Sequence, residues 1–150
     1  MRLRTRIPVV VGEDLYAKTE FRQCFEKQAA DIINPDVSCV GGILELKEIA
    51  AMAEPYDVVV SPHGAGVMVG LAATIQASAV MTNFLITDYY VPTVDIAAEI
   101  MRPAFVVNNG YIDLPTAPGL GIDLDEAAMA RHEYRQLPAR TFRRHGEEGP

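Results

Sequence analysis

A repeated pattern of apolar runs and helix-like segments between residues 7 and 88 constrains the fold of this chain more than any other feature. Each run is short, rich in β-branched residues and closed by a polar residue, and a segment with helical apolar spacing follows it. The four runs cover residues 7–11, 31–33, 57–60 and 83–86. This alternation predicts βα units whose strands lie parallel in one sheet.

The segments between the runs predict amphipathic helices. Their apolar positions are Phe21, Cys24, Phe25 and Gln28 or Ala29 in the first, Leu46, Ile49, Ala50 and Ala53 in the second, and Val67, Leu71, Ile75 and Ser78 in the third. Pro55 is expected to stop the second helix. The runs lack alternation of apolar and polar residues, which indicates strands buried on both faces by helices.

Four polar residues at the ends of the runs recur at a nearly constant interval. Glu13, Asp36, His63 and Asp88 are separated by 23, 27 and 25 positions. A barrel and an open doubly wound sheet both fit parallel βα repeats, and the regular interval favours the barrel. The four side chains are then expected at the carboxyl ends of neighbouring strands, where barrel active sites are built.

The pattern changes after Asp88, so we predict three regions. Residues 1–88 form a partial barrel, residues 89–135 pack on it, and residues 136–150 form a tail without core-forming pattern that we expect to be disordered. The middle region contains an amphipathic stretch over 94–101, a turn at 108–110, strand-like residues 111–112 and a short helix over 125–132 capped by Asp123 or Asp125.

Charge and cysteine content exclude several classes of protein. Thirteen basic residues against 20 acidic ones give a net charge of −7, which argues against a nucleic-acid or anionic-membrane binder. No apolar run approaches the roughly 18 to 20 residues of a membrane span, so we expect a cytoplasmic protein. The two cysteines, Cys24 and Cys39, form neither a disulfide framework nor a metal-binding spacing, and both are expected to be buried thiols.

The shared position of Glu13, Asp36 and His63 in the repeat suggests an acid/base and metal site. Each residue alone has a structural explanation. Glu13 and Asp36 fit caps of a helix or turn, and His63 fits a hydrogen-bonded loop histidine. Their common place at three successive strand ends favours a joint site.

Five motifs in this order resemble the last strands of the enolase superfamily barrel, within the mandelate racemase and muconate lactonizing group. They are IPVVVGED at 7–14, DIINPDVSCVGG at 31–42, SPH at 61–63, NFLITD at 83–88 and GYIDLPTAPGLGI at 110–122. The resemblance covers about residues 5–135. It implies an α/β fold that is the C-terminal half of a (β/α)8 TIM-type barrel, with about four βα units, a parallel sheet and a C-terminal return segment.

The resemblance implies removal of the proton next to a carboxylate, with the resulting enediolate held by Mg2+. By resemblance Glu13 is one of three acidic metal ligands, and Asp36 and His63 match an Asp-His dyad in which the imidazole exchanges the proton. Asp88 falls where a glutamate commonly hydrogen-bonds the substrate, and its side chain is one methylene shorter. With one ligand of three, this chain alone is expected to bind Mg2+ weakly.

Dehydration of a sugar acid, an aldonate, is the favoured reaction, because the third and fourth motifs look most like the dehydratase members. A racemase or epimerase of the same group is the alternative. A non-catalytic truncated chain, or a half-barrel that needs a complementary polypeptide, is a further alternative, since half a barrel leaves two sheet edges unpaired. We therefore expect a homo-oligomer or a complementary N-terminal half as partner. An unrelated open-sheet α/β binding module with a ligand at its strand ends is disfavoured, because the nucleotide motifs that would distinguish it, G-x-G-x-x-G and the P-loop, do not occur.

Overall fold

A three-stranded parallel sheet organises the chain in the computed structural model, which describes residues 5–64 and 68–136. Its strands are β1 (Val10–Val11), β2 (Ile32–Ile33) and β3 (Val59–Val60), in that spatial order. The register aligns Val10 with Ile32 and Ile32 with Val59. The fourth predicted run extends the sheet by one parallel bridge, from Phe84 to Val60, without forming a regular strand.

Helices follow the strands as the apolar spacing predicts. Helix α1 (Lys18–Glu26) follows β1, the four-residue helix α2 (Val37–Val40) and helix α3 (Ile43–Ala53) follow β2, and helix α4 (Met68–Ser78) follows β3. Helix α3 passes into a 3-10 turn, Glu54–Tyr56, which contains Pro55. The spacing did not predict α2.

The core lies between the sheet and the helices on one of its faces. The predicted apolar positions of α1 and α3 are buried, as are Leu71 and Ile75 of α4, whereas Gln28 is exposed and Ala29 takes the inward position. Val67 lies outside the described residues. Helix α3 packs against both α1 and α4. The ring of Phe25 stacks on Tyr56, with centroids 5.4 Å apart, which ties α1 to the end of α3.

The expectation that strands are buried on both faces is wrong for the face opposite the helices. Ile33 and Val60, which face the helices, are fully buried, whereas Ile32 and Val59 are half-buried and Val10 is 49% exposed. The alternation follows from the period of two along a strand. Helices cover one face, and the strands that would close a barrel over the other face are not among the described residues.

The two cysteines differ in their surroundings. Cys24 is buried on α1, as expected. Cys39 is exposed on α2, so the expectation of a buried thiol is wrong there. The reason is that α2 turns only its valines, Val37 and Val40, toward the core.

The region after Asp88 contributes short helices and a two-stranded antiparallel sheet. A 3-10 turn (Val91–Thr93) leads into helix α5 (Val94–Ile100), strand β4 (Met101–Arg102) pairs antiparallel with strand β5 (Asp123–Leu124), and helix α6 (Glu126–Met129) follows. The predicted stretch 94–101 is therefore a helix up to Ile100. Helix α6 is shorter than the predicted 125–132, and its cap is Asp125, whose Oδ1 accepts from the Ala128 N–H at 2.8 Å.

The turn predicted at residues 108–110 is confirmed. Asn108 and Tyr111 exchange two backbone hydrogen bonds of 2.8 and 3.0 Å. Asn109 and Gly110 between them have φ of +50° and +83°, the signs that a tight hairpin turn requires. The predicted strand at 111–112 is limited to this single bridge. Of the tail predicted to be disordered, the structure describes only Gln136. Among the helices of the described residues, none has the length and apolar character of a membrane span.

Candidate functional site

Three of the four polar residues predicted at the strand ends meet in one cluster. The Nδ1 atom of His63 lies 3.1 Å from Oδ2 of Asp36, and its Nε2 atom lies 3.2 Å from Oε2 of Glu13. The imidazole is thus placed between two carboxylates, one after β1 and one after β2. A carboxylate can only accept hydrogen bonds when ionised, so the Nδ1 atom donates to Asp36.

Backbone pairing beyond the strands fixes the Asp36–His63 pair. The two residues form a parallel bridge, and the His63 N–H donates to the Pro35 carbonyl at 3.0 Å. The second oxygen of Asp36, Oδ1, accepts from the Ser38 N–H at 2.7 Å and caps α2. The cap and the dyad are therefore not alternatives, because one carboxylate uses a different oxygen for each.

Glycine at position 12 lets the chain place Glu13 beside His63. Gly12 has φ of +140°, and a Cβ there would lie 2.9 Å from Cε1 of Phe21 and 3.2 Å from the backbone N of Asn34. The cap explanation for Glu13 is wrong, since α1 begins after Ala17 and has no side-chain cap. The Glu13 side chain is 56% exposed, against 21% for His63 and 16% for Asp36. Glu13 is therefore the member of the cluster that is free to change partners.

Asp88 lies next to the cluster through its backbone only. Its N–H donates to the Pro62 carbonyl at 3.1 Å, and the Thr87 hydroxyl donates to the same oxygen at 3.1 Å. Gly64 permits this approach, because a Cβ on it would lie 2.4 Å from the Asp88 carbonyl oxygen. The Asp88 carboxylate has no hydrogen-bonding partner among the described residues, so the structure does not join it to Glu13, Asp36 and His63.

Gly12, Gly64 and Thr87 are contributors to the site that the reasoning from sequence missed. Gly12 and Gly64 each stand directly beside a predicted site residue, which is a signal the sequence does contain. Their importance depends on contacts with Phe21 and Asp88, which are distant in the chain. Only the folded structure identifies those contacts.

The described residues do not by themselves fit a magnesium site. Among residues 5–64 and 68–136, no group of three or more carboxylate, imidazole or thiol side chains is arranged so that it could hold a metal ion. Glu13 offers one carboxylate, and its Oε2 is engaged by His63. Mg2+ prefers six oxygens in near-octahedral geometry.

Negative charge is concentrated around the cluster. The exposed thiol of Cys39 on α2 has a pKa raised by desolvation and then by the charges of Asp36 and Asp14. Those charges disfavour a thiolate because like charges repel.

Comparison with known proteins places this arrangement in a family. The sequence profile described as "Enolase C-terminal domain-like" matches residues 1–128. D-xylonate dehydratase of Haloferax volcanii is 34% identical over 128 residues, which are 85% of this chain and 31% of that protein. D-galactonate dehydratase of Ralstonia pickettii is 35% identical over 131 residues, which are 83% of this chain and 34% of that protein.

Solved structures agree with these sequence matches. A mandelate racemase/muconate lactonizing enzyme-like protein from Roseovarius sp. TM1035 superimposes with a TM-score of 0.79 at 39% identity, over 88% of this chain and 33% of that one. A mandelate racemase/muconate lactonizing enzyme from Jannaschia sp. CCS1 gives 0.81 at 32% identity, over 89% and 34%. The chain thus spans about a third of the length of the relatives it matches. It belongs to the enolase C-terminal domain-like family, and its parallel α/β fold is that of the C-terminal half of a TIM barrel.

Proposed function

We propose that this chain carries the proton-transfer centre of a sugar-acid dehydratase. The observation that supports this most directly is the hydrogen-bonded Asp36–His63 pair at the carboxyl ends of adjacent parallel strands. Two of the relatives are named for dehydration of D-xylonate and D-galactonate, both aldonic acids. A small hydroxylated carboxylic acid is therefore the proposed class of substrate.

His63 is the proposed base. Asp36 accepts a hydrogen bond from Nδ1 of His63. This bond fixes the orientation of the ring and directs the Nε2 atom to the open side of the cluster. Hydrogen bonds on both oxygens of Asp36 hold that carboxylate in place. Glu13 must move away from Nε2 before this atom can take a proton from a substrate, and its exposure allows such a movement.

The proposed reaction is the loss of water from carbons 2 and 3 of the acid. Nε2 of His63 takes the proton from the carbon next to the carboxylate and then gives it to the hydroxyl on carbon 3, which leaves as water. The enol that remains tautomerises to a 2-keto-3-deoxy acid. Such a carbon acid is weak, so the negative charge that develops on the carboxylate needs stabilisation from groups beyond this cluster.

We also propose Glu13 as one ligand of a Mg2+ site that further carboxylates, supplied by another polypeptide, would complete. Glu13 fits this role because its oxygens are hard donors and its side chain is exposed. Asp88 is proposed to contact the substrate carboxylate, since its backbone is fixed one residue from His63 by the contact with Gly64.

A product assay tests the proposed function. The chain is incubated with D-xylonate and D-galactonate in deuterated water with Mg2+, alone and with a separately produced N-terminal portion of the Ralstonia pickettii relative. Formation of a 2-keto-3-deoxy acid supports dehydration. Deuterium at carbon 2 with inversion and no keto product would instead identify a racemase. If the complemented sample contains neither deuterated acid nor keto acid, the proposal is contradicted.

A further inference from the structure

The backbone of His63 continues β3 in regular steps on the side that faces β2. Beyond the strands, the Ser61 N–H donates to the Ile33 carbonyl at 2.8 Å, and the His63 N–H donates to the Pro35 carbonyl at 3.0 Å. The donor and the acceptor each advance by two residues, which is the step of a parallel ladder. On this side, therefore, no residue is extra.

The ladder on the other side of β3 contains one extra residue. The Leu85 N–H donates to the Val60 carbonyl at 2.8 Å, and the next bond, to the Pro62 carbonyl, comes from the Asp88 N–H at 3.1 Å. A step of two residues along β3 thus faces a step of three residues from Leu85 to Asp88. A regular parallel ladder would take this bond from Thr87. An extra residue of this kind is a β-bulge, a feature that is common beside active sites.

Proline at position 62 explains why the ladder is irregular at this point. A regular ladder would also need an N–H of Pro62 to donate to the Leu85 carbonyl, and proline has no N–H. Without that bond, the chain between Leu85 and Asp88 can accommodate the extra residue.

The side chain of Thr87 takes the place of the bond that a regular ladder expects from its N–H. Its hydroxyl donates to the Pro62 carbonyl at 3.1 Å, so this oxygen accepts from Thr87 and from the Asp88 N–H together. A carbonyl oxygen has two lone pairs and can accept both bonds. The carbonyl belongs to the peptide bond that joins Pro62 to His63. Thr87 thus connects the bulge directly to the backbone of His63.

An extra residue changes the face of the sheet to which the following side chains point. Phe84 pairs with Val60, whose side chain is fully buried against the helices. In a regular strand Asp88, four residues after Phe84, would lie on that same helix-covered face. With one residue added, alternation assigns Asp88 to the other face, which carries Val59 and His63.

We propose that Thr87 is a positioning residue that holds Asp88 beside His63. Its hydroxyl stabilises the bulge through the Pro62 carbonyl, and the bulge directs the Asp88 side chain to the face of the candidate site. This role rests on the proposed function, in which Asp88 contacts the substrate carboxylate and His63 is the base. Thr87 acts on the substrate only through Asp88.

Hydrogen bonding in the wild-type chain tests the bulge itself. NMR couplings across hydrogen bonds identify the N–H that donates to the Pro62 carbonyl, and amide hydrogen exchange measures its protection. We expect the coupling from the Asp88 N–H, together with protection of that amide. A coupling from the Thr87 N–H would mean a regular ladder and would overturn the proposal, as would an unprotected Asp88 amide. This measurement needs neither a variant nor a substrate.

Three variants separate the hydroxyl of Thr87 from its shape. Thr87→Val keeps the branched shape and removes the donor, so exchange of the Asp88 amide should become about 5- to 10-fold faster, as expected for the loss of one hydrogen bond. Thr87→Ser keeps the hydroxyl and should restore the protection. Thr93→Val is the matched control, because the Thr93 hydroxyl donates to the Tyr90 carbonyl at 2.8 Å, outside this contact. It should leave exchange of the Asp88 amide unchanged.

Kinetics with the complementary N-terminal portion present test the effect on the substrate. A displaced Asp88 weakens substrate binding, so Thr87→Val should raise KM by about 10-fold and change kcat by less than about 3-fold. A purely structural defect would instead lower kcat with the folded fraction of the protein and leave KM unchanged. Thr87→Ser should return KM to the wild-type value.

Two results with the variants would overturn the role of Thr87. One is an unchanged KM in Thr87→Val, and the other is a Thr87→Ser variant that is as impaired as Thr87→Val. If the complemented wild-type chain forms no keto acid, the proposed function fails. The NMR coupling and the exchange of the Asp88 amide then decide by themselves whether Thr87 holds the bulge.

Discussion

Two replacements of Asp36 distinguish the effect of its hydrogen bond to the Ser38 N–H from that of its bond to His63. They show whether the carboxylate orients His63. Asp36→Ala loses the cap of α2, worth about 1 kcal/mol, and the half-buried bond to His63, worth about 1 to 2 kcal/mol. The expected loss of about 2 to 3 kcal/mol lowers the melting temperature by about 5 to 10 °C for a chain of this size.

Asp36→Asn is expected to be milder and to invert the tautomer of His63. The amide oxygen can still accept from the Ser38 N–H, so the cap remains and the loss stays below about 1 kcal/mol. The amide nitrogen then faces Nδ1, and two donors cannot pair. The ring must turn Nδ1 into an acceptor and carry its proton on Nε2.

Thermal melting and nitrogen NMR of the imidazole measure the two effects. Asp125→Ala is the matched control, because Asp125 caps α6 through the Ala128 N–H without a histidine partner. It should cost about 1 kcal/mol and leave the His63 signals unchanged. Equal destabilisation by Asp36→Asn and Asp36→Ala, or an Nδ1 atom that stays protonated in Asp36→Asn, would contradict the role of Asp36 as the acceptor that orients His63.

Three further changes test other parts of the structure. Gly12→Ala places a methyl group 2.9 Å from the Phe21 ring at a backbone φ of +140°. Urea denaturation should therefore show a free energy of unfolding lower by about 2 kcal/mol or more. A decrease below about 0.5 kcal/mol would contradict this close contact. Leu46→Ala empties a fully buried position of α3 and should cost about 2 to 5 kcal/mol in the same assay, whereas the exposed Lys47→Ala should change little. The hydrogen bonds from Arg131 and, to a smaller extent, from His132 lower the pKa of Glu99 below its ordinary 4.5. The stability that they add to the folded chain is therefore fully present above pH 4.5. It is lost as the pH falls through the lowered pKa of Glu99 in the folded chain. Glu99→Gln should therefore reduce the dependence of the melting temperature on pH below 4.5. If this dependence is the same in the variant and the wild-type chain, Glu99 is not its cause.

The helices and the strand order could be predicted because burial repeats with a fixed period along the chain. Phe21 and Phe25 on α1, and Leu46 and Ile49 on α3, occupy the inward positions that a period of 3.6 residues assigns to them. The position of Asp36 and His63 followed from one physical rule, that parallel strands present their carboxyl ends on the same side.

Other features depend on contacts that no local pattern encodes. The pairing of β4 with β5 joins residues 21 and 23 positions apart through two-residue strands, which are too short to show alternation. Glu13 reaches His63 across the end of β2, and that contact depends on the turn at Gly12 and on the side-chain conformation. The exposed face at Val10 was missed because a run of valines looks the same whether one or both faces are covered.

Turnover of a His63→Asn variant shows whether His63 is the base. The variant and the wild-type chain are compared in the dehydration assay with the complementary N-terminal portion present, and their melting temperatures are measured in parallel. We expect the wild-type chain to form the keto acid, and His63→Asn to lower the rate by about 100-fold or more, with a loss of stability no larger than the about 1 to 2 kcal/mol of the Asp36–His63 hydrogen bond. Equal rates for the two proteins would contradict it.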